Sequence, residues 1–247
     1  MKLLQNIWAA WGILVFILFM FPALPIYIVA IIIWKGKAIQ KVHWVSRLWA
    51  RSIFFFIGII PKNVGNYKPN KKQSHVLISN HQSALDIPLC AIASALPFRF
   101  LSKAELGKIP VLGWIIKNIY LTVDRGSNKA RIKSMERMKA ALIEGSSLFI
   151  YPEGTRNRSK EPTTRFFDGA FKLAIASKKP LGILVIENAN ELCPTTGFNL
   201  KPGIVRYKWI ESINTSDYKE HELEELKSLA KEKMNASLIE MRDGTKA

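Results

Sequence analysis

The sequence predicts an α/β fold behind an N-terminal membrane anchor. Three observations carry this. Residues 3–34 contain no charged side chain. Beyond residue 74, short β-favouring apolar runs alternate with helical stretches, the order that builds a sheet with helices on its faces. At 247 residues and 49% hydrophobic, the chain is long enough for one sizeable domain plus an anchor.

Taken in order, the apolar run exceeds the roughly 20 residues a spanning helix needs. Pro22 and Pro25 interrupt it, and proline kinks or breaks a helix. Two geometries follow: a single kinked span, or a helix pair that enters one leaflet and returns with the prolines at the bend. Lys35, Lys37, Lys41, Arg47 and Arg51 follow the run and only Lys2 precedes it, which places the downstream flank in the cytoplasm. The run is long for a signal-peptide core, and no clear small-x-small cleavage site follows. SIFFFIGII (52–60) is too short to span; it lies at the interface or packs in a core. Trp34, Trp44 and Trp49 suit a headgroup belt as well as ordinary packing. Residues 1–60 are read as anchor and interfacial segment, and 61–247 as the main domain.

In the body, YKPNKKQS (67–74) reads as a loop and HVLIS (75–79) as a strand, followed by a helix over 83–96. Residues 130–145 form an amphipathic helix with Ile132, Met135, Met138 and Leu142 on one face and Gly145 as its stop. SLFIY (147–151), LGILVI (181–186) and GIVRYKWI (203–210) are further strands, and 169–177 a further helix. The tail, 217–241, is helical, with Leu223, Leu226, Ala230, Met234 and Leu238 as a core-facing stripe. In such domains sites gather on the loops that leave the strands.

Charge is unevenly placed. Residues 1–210 hold 30 basic and 10 acidic side chains, residues 211–247 hold 6 and 9, and the net is +17. Ten basic residues and no acidic one precede Asp86. Such a balance suits anionic lipid, a phosphorylated ligand or nucleic acid. Nucleic acid is not expected, because the basic residues lack recognition-motif spacing and many adjoin the apolar segment. Cys90 and Cys193 give neither metal spacing nor a disulfide framework; free thiols fit a reducing, cytoplasm-facing domain.

His81 directly follows a strand, and Asp86 lies five residues on. With His81 in the loop and Asp86 in the first helical turn, the carboxylate can accept one imidazole proton and leave the other nitrogen as a base. A surface histidine and a helix-start aspartate fit the same spacing. Ser83 lies in no nucleophile elbow and reads as a helix N-cap. YPEGTRNRS (151–159) leaves the next strand; Gly154 permits close backbone approach, and Arg156 and Arg158 can pair with phosphate. LTVDRGS (121–127) places Arg125 in a third turn.

These blocks resemble the glycerolipid acyltransferase family, in particular its bacterial 1-acylglycerol-3-phosphate acyltransferases. Asn80-His81 through Asp86 matches N-H-x4-D, and Gly113 to Arg125 the second block. Tyr151 to Arg156 is close to F-P-E-G-T-R and continues into RFFDGAFKLA (165–174). The fourth block departs: KPLGILVIENANEL carries Gly182 and Ile183 near the family's proline, which bears on the acceptor more than on the chemistry. The resemblance implies a single mixed-sheet acyltransferase domain in the cytoplasmic (inner) membrane. It implies transfer of a fatty acyl chain from acyl-CoA or acyl carrier protein to the hydroxyl of a membrane lipid, 1-acyl-sn-glycerol-3-phosphate, without cofactor or metal. His81 would be the base and Asp86 its orienter. Glu153, Gly154, Thr155 and Arg156 would hold the glycerol phosphate, with Arg125 a second phosphate partner and Lys103 a further contact to an anionic group. Backbone N–H groups near His81 or Gly154 would steady the oxyanion. Other lyso-acceptors, or glycerol phosphate itself, remain alternatives. So does a non-catalytic module that binds the anionic membrane surface, although that gives no reason for His81 and Asp86.

Overall fold

In a computed structural model, residues 2–34, 38–103, 112–123, 127–196 and 199–244 are described. Two helices come first, α1 (Lys2–Trp34) and α2 (Ala38–Phe56). A seven-stranded sheet follows: β1 (Ile59–Asn63), β2 (Val76–Ser79), β3 (Phe98–Lys103), β4 (Leu121–Val123), β5 (Ser147–Ile150), β6 (Leu181–Glu187) and β7 (Gly203–Ile213). Between the strands lie α3 (Asp86–Ala93), α4 (Leu112–Ile119), α5 (Asn128–Ile143), α6 (Gly169–Ser177) and the short α7 (Ala189–Leu192); α8 (Leu223–Asp243) ends the chain. The strand order is β1-β7-β6-β2-β5-β3-β4. Every neighbouring pair is parallel except β6 with β7, so the sheet is mixed. The C-terminal ends of β2 to β6 share one edge.

Alternation along β2 divides the core, because successive side chains point to opposite faces. Leu77 joins Phe149, Leu184 and Ile186 beneath α1, α2 and α3. Val76 and Ile78 join Leu148 and Ile183 beneath α5, α6 and α8. The result is three layers, helix on sheet on helix.

Of the expected geometries, the helix pair is present, but the prolines do not end its first helix. Pro22 and Pro25 lie inside α1, which continues through them. Helix α2 packs back against α1 in antiparallel fashion. Tyr27 Oη meets Ser46 Oγ at 2.9 Å, and the Trp8 and Trp11 indoles donate to the carbonyls of Ile57 and Phe56. Helix α1 thus runs on to Trp34, beyond both prolines, and α2 runs back from Ala38. Ala23, Tyr27, Ala30 and Ile31 pack on Ile39, Val42 and Val45, so apolar contact extends along the helix beyond the two prolines. Residues 3–34 are long and apolar enough to cross a bilayer, with 22% of the most apolar window buried. Within residues 52–60, Ile53, Phe54, Ile57 and Ile59 enter the core, while Phe55 is 78% exposed.

Elsewhere the corrections are local. Strand β1 and the pair β3 and β4 have too few alternating residues to stand out in sequence. In α5, Met138 and Leu142 are buried but Ile132 is exposed. Helix α3 starts at Asp86 rather than Ser83, and α8 starts at Leu223 after a 3-10 turn, Glu220–Glu222.

Candidate active site

The loop from β2 into α3 and the turn after β5 meet at the C-terminal edge of the sheet. His81 Nδ1 lies 2.8 Å from Asp86 Oδ2. The same oxygen accepts the backbone N–H groups of Gln82 (2.7 Å) and Ser83 (2.8 Å). A carboxylate only accepts, so Nδ1 carries the imidazole proton and Nε2 is left as the basic nitrogen. Asp86 is fully buried, whereas the His81 side chain keeps 13% exposure; the base is reachable and its orienter is not. At the first position of α3, Asp86 also sits where the helix dipole favours an anion.

The second turn holds His81 on three sides. Its N–H donates to Glu153 Oε1 at 2.8 Å, and its carbonyl accepts the Asn157 N–H at 2.7 Å. The Tyr151 ring stacks on the imidazole, with centroids 4.0 Å apart and planes 15° from parallel. The Tyr151 hydroxyl contacts Cys90 Sγ at 3.3 Å. Burial pushes the Tyr151 hydroxyl and the Cys90 thiol up, so both stay neutral and Cys90 is no nucleophile. Gly154 has φ +69°, and a Cβ there would meet the Phe167 ring at 3.0 Å. That conformation favours glycine.

The expected cradle is redistributed. Both Glu153 oxygens are engaged by protein: Oε1 by His81, Oε2 by the Thr164 N–H and hydroxyl, each at 2.8 Å. A buried carboxylate would in any case repel phosphate. In the structure Glu153 thus ties the His81 backbone to Thr164. Thr155 and Arg156 are exposed, Gly154 half-buried. Arg125 lies outside the described residues, as does the side chain of Lys103. The expected oxyanion donors are also engaged. The N–H groups of His81, Gln82 and Ser83 bind carboxylates, and that of Gly154 closes a turn on the Tyr151 carbonyl. Ser83 is not an N-cap; its hydroxyl accepts from the Leu85 N–H and donates to the Cys193 carbonyl.

A cavity of about 670 Å³ adjoins the dyad. Arg156, Ala84, Leu85 and Cys193 line it near His81, and Phe16, Ile53, Phe54 and Ala91 line it between the hairpin and α3. Sequence reasoning missed this contribution of the hairpin, and that of Pro194 to Thr195 and Asn199 to Leu200, because neither carries a motif. It also missed the Asn80 side chain, whose amide exchanges two hydrogen bonds with Ile186 (2.7 and 2.9 Å) and fixes the β2 end to β6. Gly182 lies near the opposite end of β6, where its Cα side faces Leu77 at 2.8 Å from an ideal Cβ. The divergent fourth-block residues thus pack the core instead of lining the site.

A family model described as Acyltransferase matches residues 61–186, half of the chain. The chain is 29% identical over 155 residues to a chloroplastic 1-acyl-sn-glycerol-3-phosphate acyltransferase of Arabidopsis thaliana, covering 62% of this chain and 43% of that protein. It is 30% identical over 213 residues to a 1-acyl-sn-glycerol-3-phosphate acyltransferase of Saccharomyces cerevisiae, covering 82% and 69%. Against the plant and algal relatives, the match spans less than half of their length. The crystal structure of PlsC, the 1-acyl-sn-glycerophosphate acyltransferase from Thermotoga maritima, superposes with a TM-score of 0.83 at 20% identity, over 98% of this chain and 97% of that one. At that identity it establishes a shared fold.

Proposed function

The chain belongs to the acyltransferase family, and from that premise we propose that it transfers a fatty acyl chain from a thioester donor to the free hydroxyl of 1-acyl-sn-glycerol-3-phosphate, giving phosphatidic acid. The observation that carries this reading is the His81–Asp86 pair, at 2.8 Å, beside an apolar cavity that Arg156 helps to line. Relatives named for this activity support it.

In this reading, His81 Nε2 takes the proton of the acceptor hydroxyl while Asp86 holds the ring by Nδ1. The oxygen attacks the thioester carbonyl carbon. As the tetrahedral intermediate collapses, the C–S bond breaks and the thiolate leaves with the proton from His81. No acyl-enzyme forms. Arg156, with Arg158 exposed nearby, meets the phosphate of the acceptor, and the cavity takes the acyl chain; its volume falls within the 300–1,000 Å³ usual for ligand pockets. Helix α1, about 48 Å long over residues 3–34 at 1.5 Å per residue, sits in the cytoplasmic membrane, and the domain after residue 60 faces the cytoplasm. An enzyme joining a bilayer-resident lipid to a water-borne donor belongs at that boundary.

The test uses purified full-length protein, a labelled acyl thioester and lysolipids with phosphate, choline and amino-acid headgroups, read by thin-layer chromatography. Labelled phosphatidic acid is expected from wild type and not from His81→Ala. Product from another headgroup alone would move the acceptor assignment. Wild-type-level product from His81→Ala would remove the mechanism.

A further inference from the structure

Helix α5 breaks a local rule. It carries Lys129, Arg131, Lys133, Arg137 and Lys139 against a single acid, Glu136, with no acidic residue in its first turn. Cations in the first turn oppose the helix dipole. Ser127 caps the helix by accepting the Ala130 N–H at 3.1 Å. Lys129, Lys133 and Arg137 recur every four residues and so share one stripe; all three are exposed. Among the described residues no ion pair engages them. Ile132, one turn from Lys129, is 61% exposed, giving the basic stripe an apolar contact.

The place of α5 narrows the partner. Its buried side, Met138, Ala141 and Leu142, packs on the face of the sheet that carries α6 and α8. The apolar hairpin covers the other face. The stripe therefore points away from the anchor, toward water rather than the bilayer. Strand β4 is parallel to β3, β3 to β5, and β5 to β2, so the start of α5 lies at the sheet edge that holds His81. Three strand spacings separate β4 from β2, roughly 14 Å at about 4.8 Å each.

We propose that the exposed stripe of α5 docks an acidic carrier protein that delivers the acyl thioester. This rests on the acyl-transfer reading above. A basic stripe with one apolar side chain complements an acidic helical surface, and a flexible pantetheine arm bridges from there to His81. Coenzyme A carries the same arm and phosphates but no protein surface to span the stripe and Ile132, so the two donors are told apart by experiment.

The experiment compares full-length wild type with K129E/K133E/R137E, using acyl carrier protein and acyl-CoA as donors at matched acyl chain. Helix content by circular dichroism controls for folding. The triple variant should raise KM for the acyl carrier protein at least tenfold and keep kcat/KM for acyl-CoA within twofold. In wild type, KM for the carrier should rise with salt, and in the variant it should not. Ile132→Ser should raise the carrier KM a fewfold without touching acyl-CoA. Unchanged carrier kinetics, equal loss with both donors, or wild-type use of acyl-CoA alone would each overturn the docking proposal and leave acyl transfer standing. So would loss of binding to phosphatidylglycerol vesicles with carrier kinetics intact. A wild type inactive with both donors would instead bring down the acyl-transfer reading, and the docking site with it.

Discussion

The two faces of the sheet are covered by helices of different character. Beneath α5, α6 and α8, Leu142, Phe171, Leu173, Met234 and Leu238 are fully buried against one another and against the sheet. Beneath α1, α2 and α3, a cavity of about 670 Å³ stays open, and apolar side chains such as Phe21, 73% exposed, face outward. The filled face gives the sheet edge a rigid backing. The hollow face leaves room for a lipid chain, at the cost of dispersion contacts that close packing would supply. The dyad stands at the border and takes its rigidity from hydrogen bonds and one stacked ring: His81 and Asp86 are held by Glu153, Asn157, Gln82 and Ser83, and Tyr151 lies on the imidazole.

The comparison can be broken at several points. The largest effect is expected from Asp86→Ala, which removes the orienter and leaves the Gln82 and Ser83 N–H groups without a partner. Steady-state assays should show a loss of about 10³-fold in kcat. Calorimetry should show lost stability too, about 1–3 kcal/mol for each buried donor stranded. His81→Ala should lose similar activity with less change in stability. Equal stability losses in the two variants would contradict the assignment of Asp86 as the scaffold of the loop.

Next comes the division of labour in the 151–156 turn. Glu153→Ala should lower kcat about 10- to 100-fold and leave the acceptor KM nearly unchanged, because it loosens His81. Arg156→Ala should raise the acceptor KM about tenfold with a smaller effect on kcat, as expected for a phosphate contact. A Glu153 effect confined to KM would return that carboxylate to the ligand.

How much of this could be read in the sequence follows from the same contrast. The dyad and the second turn were legible because their chemistry needs fixed residue types at short spacing: His81 with Asp86, and Gly154 at positive φ. Roles within the turn were not, since a motif does not say which way a carboxylate points; Glu153 faces inward to Thr164, eleven residues on. The strands of the filled core stood out as apolar runs. The hollow face did not, because its lining comes from α1, α2, α3 and the segments around Cys193 and Leu200, which meet only in three dimensions. Pro22 and Pro25 each remove one backbone bond, yet α1 continues through them, with Tyr27, Ala30 and Ile31 beyond them packed on α2.

A smaller effect tests the hollow face. Ala91→Phe, which fills the cavity wall beside α3, should lower turnover of long acyl chains about tenfold and leave short chains near wild type. An equal loss at every chain length would place the chain elsewhere.

The smallest concerns pH. Burial pushes the His43 imidazole down to about 4, opposed by its Nε2 contact to the Ser94 carbonyl at 3.1 Å, with Arg47 adding to the drop. Burial also lowers His75. The unfolded chain binds a proton at His43 below its ordinary value of about 6.5, and the folded chain does not until about 4. The stability contributed by neutral His43 is therefore whole above pH 6.5 and declines as pH falls from 6.5 to 4. At pH 5.5 the loss is about 1 kcal/mol. Thermal melts of wild type and His43→Gln should converge as pH drops through this window; parallel curves would contradict it.

The placement of the lipid chain on the hollow side is tested most directly by photocrosslinking. A lysophosphatidic acid with a diazirine along its acyl chain is bound to the full-length protein, irradiated, and the labelled peptides are mapped by mass spectrometry. Labels are predicted at the cavity walls, on α2 near Ile53 and Phe54 and on α3 near Ala91, and they should be displaced by unlabelled lipid. Labels concentrated on α5, α6 or α8 would contradict the account.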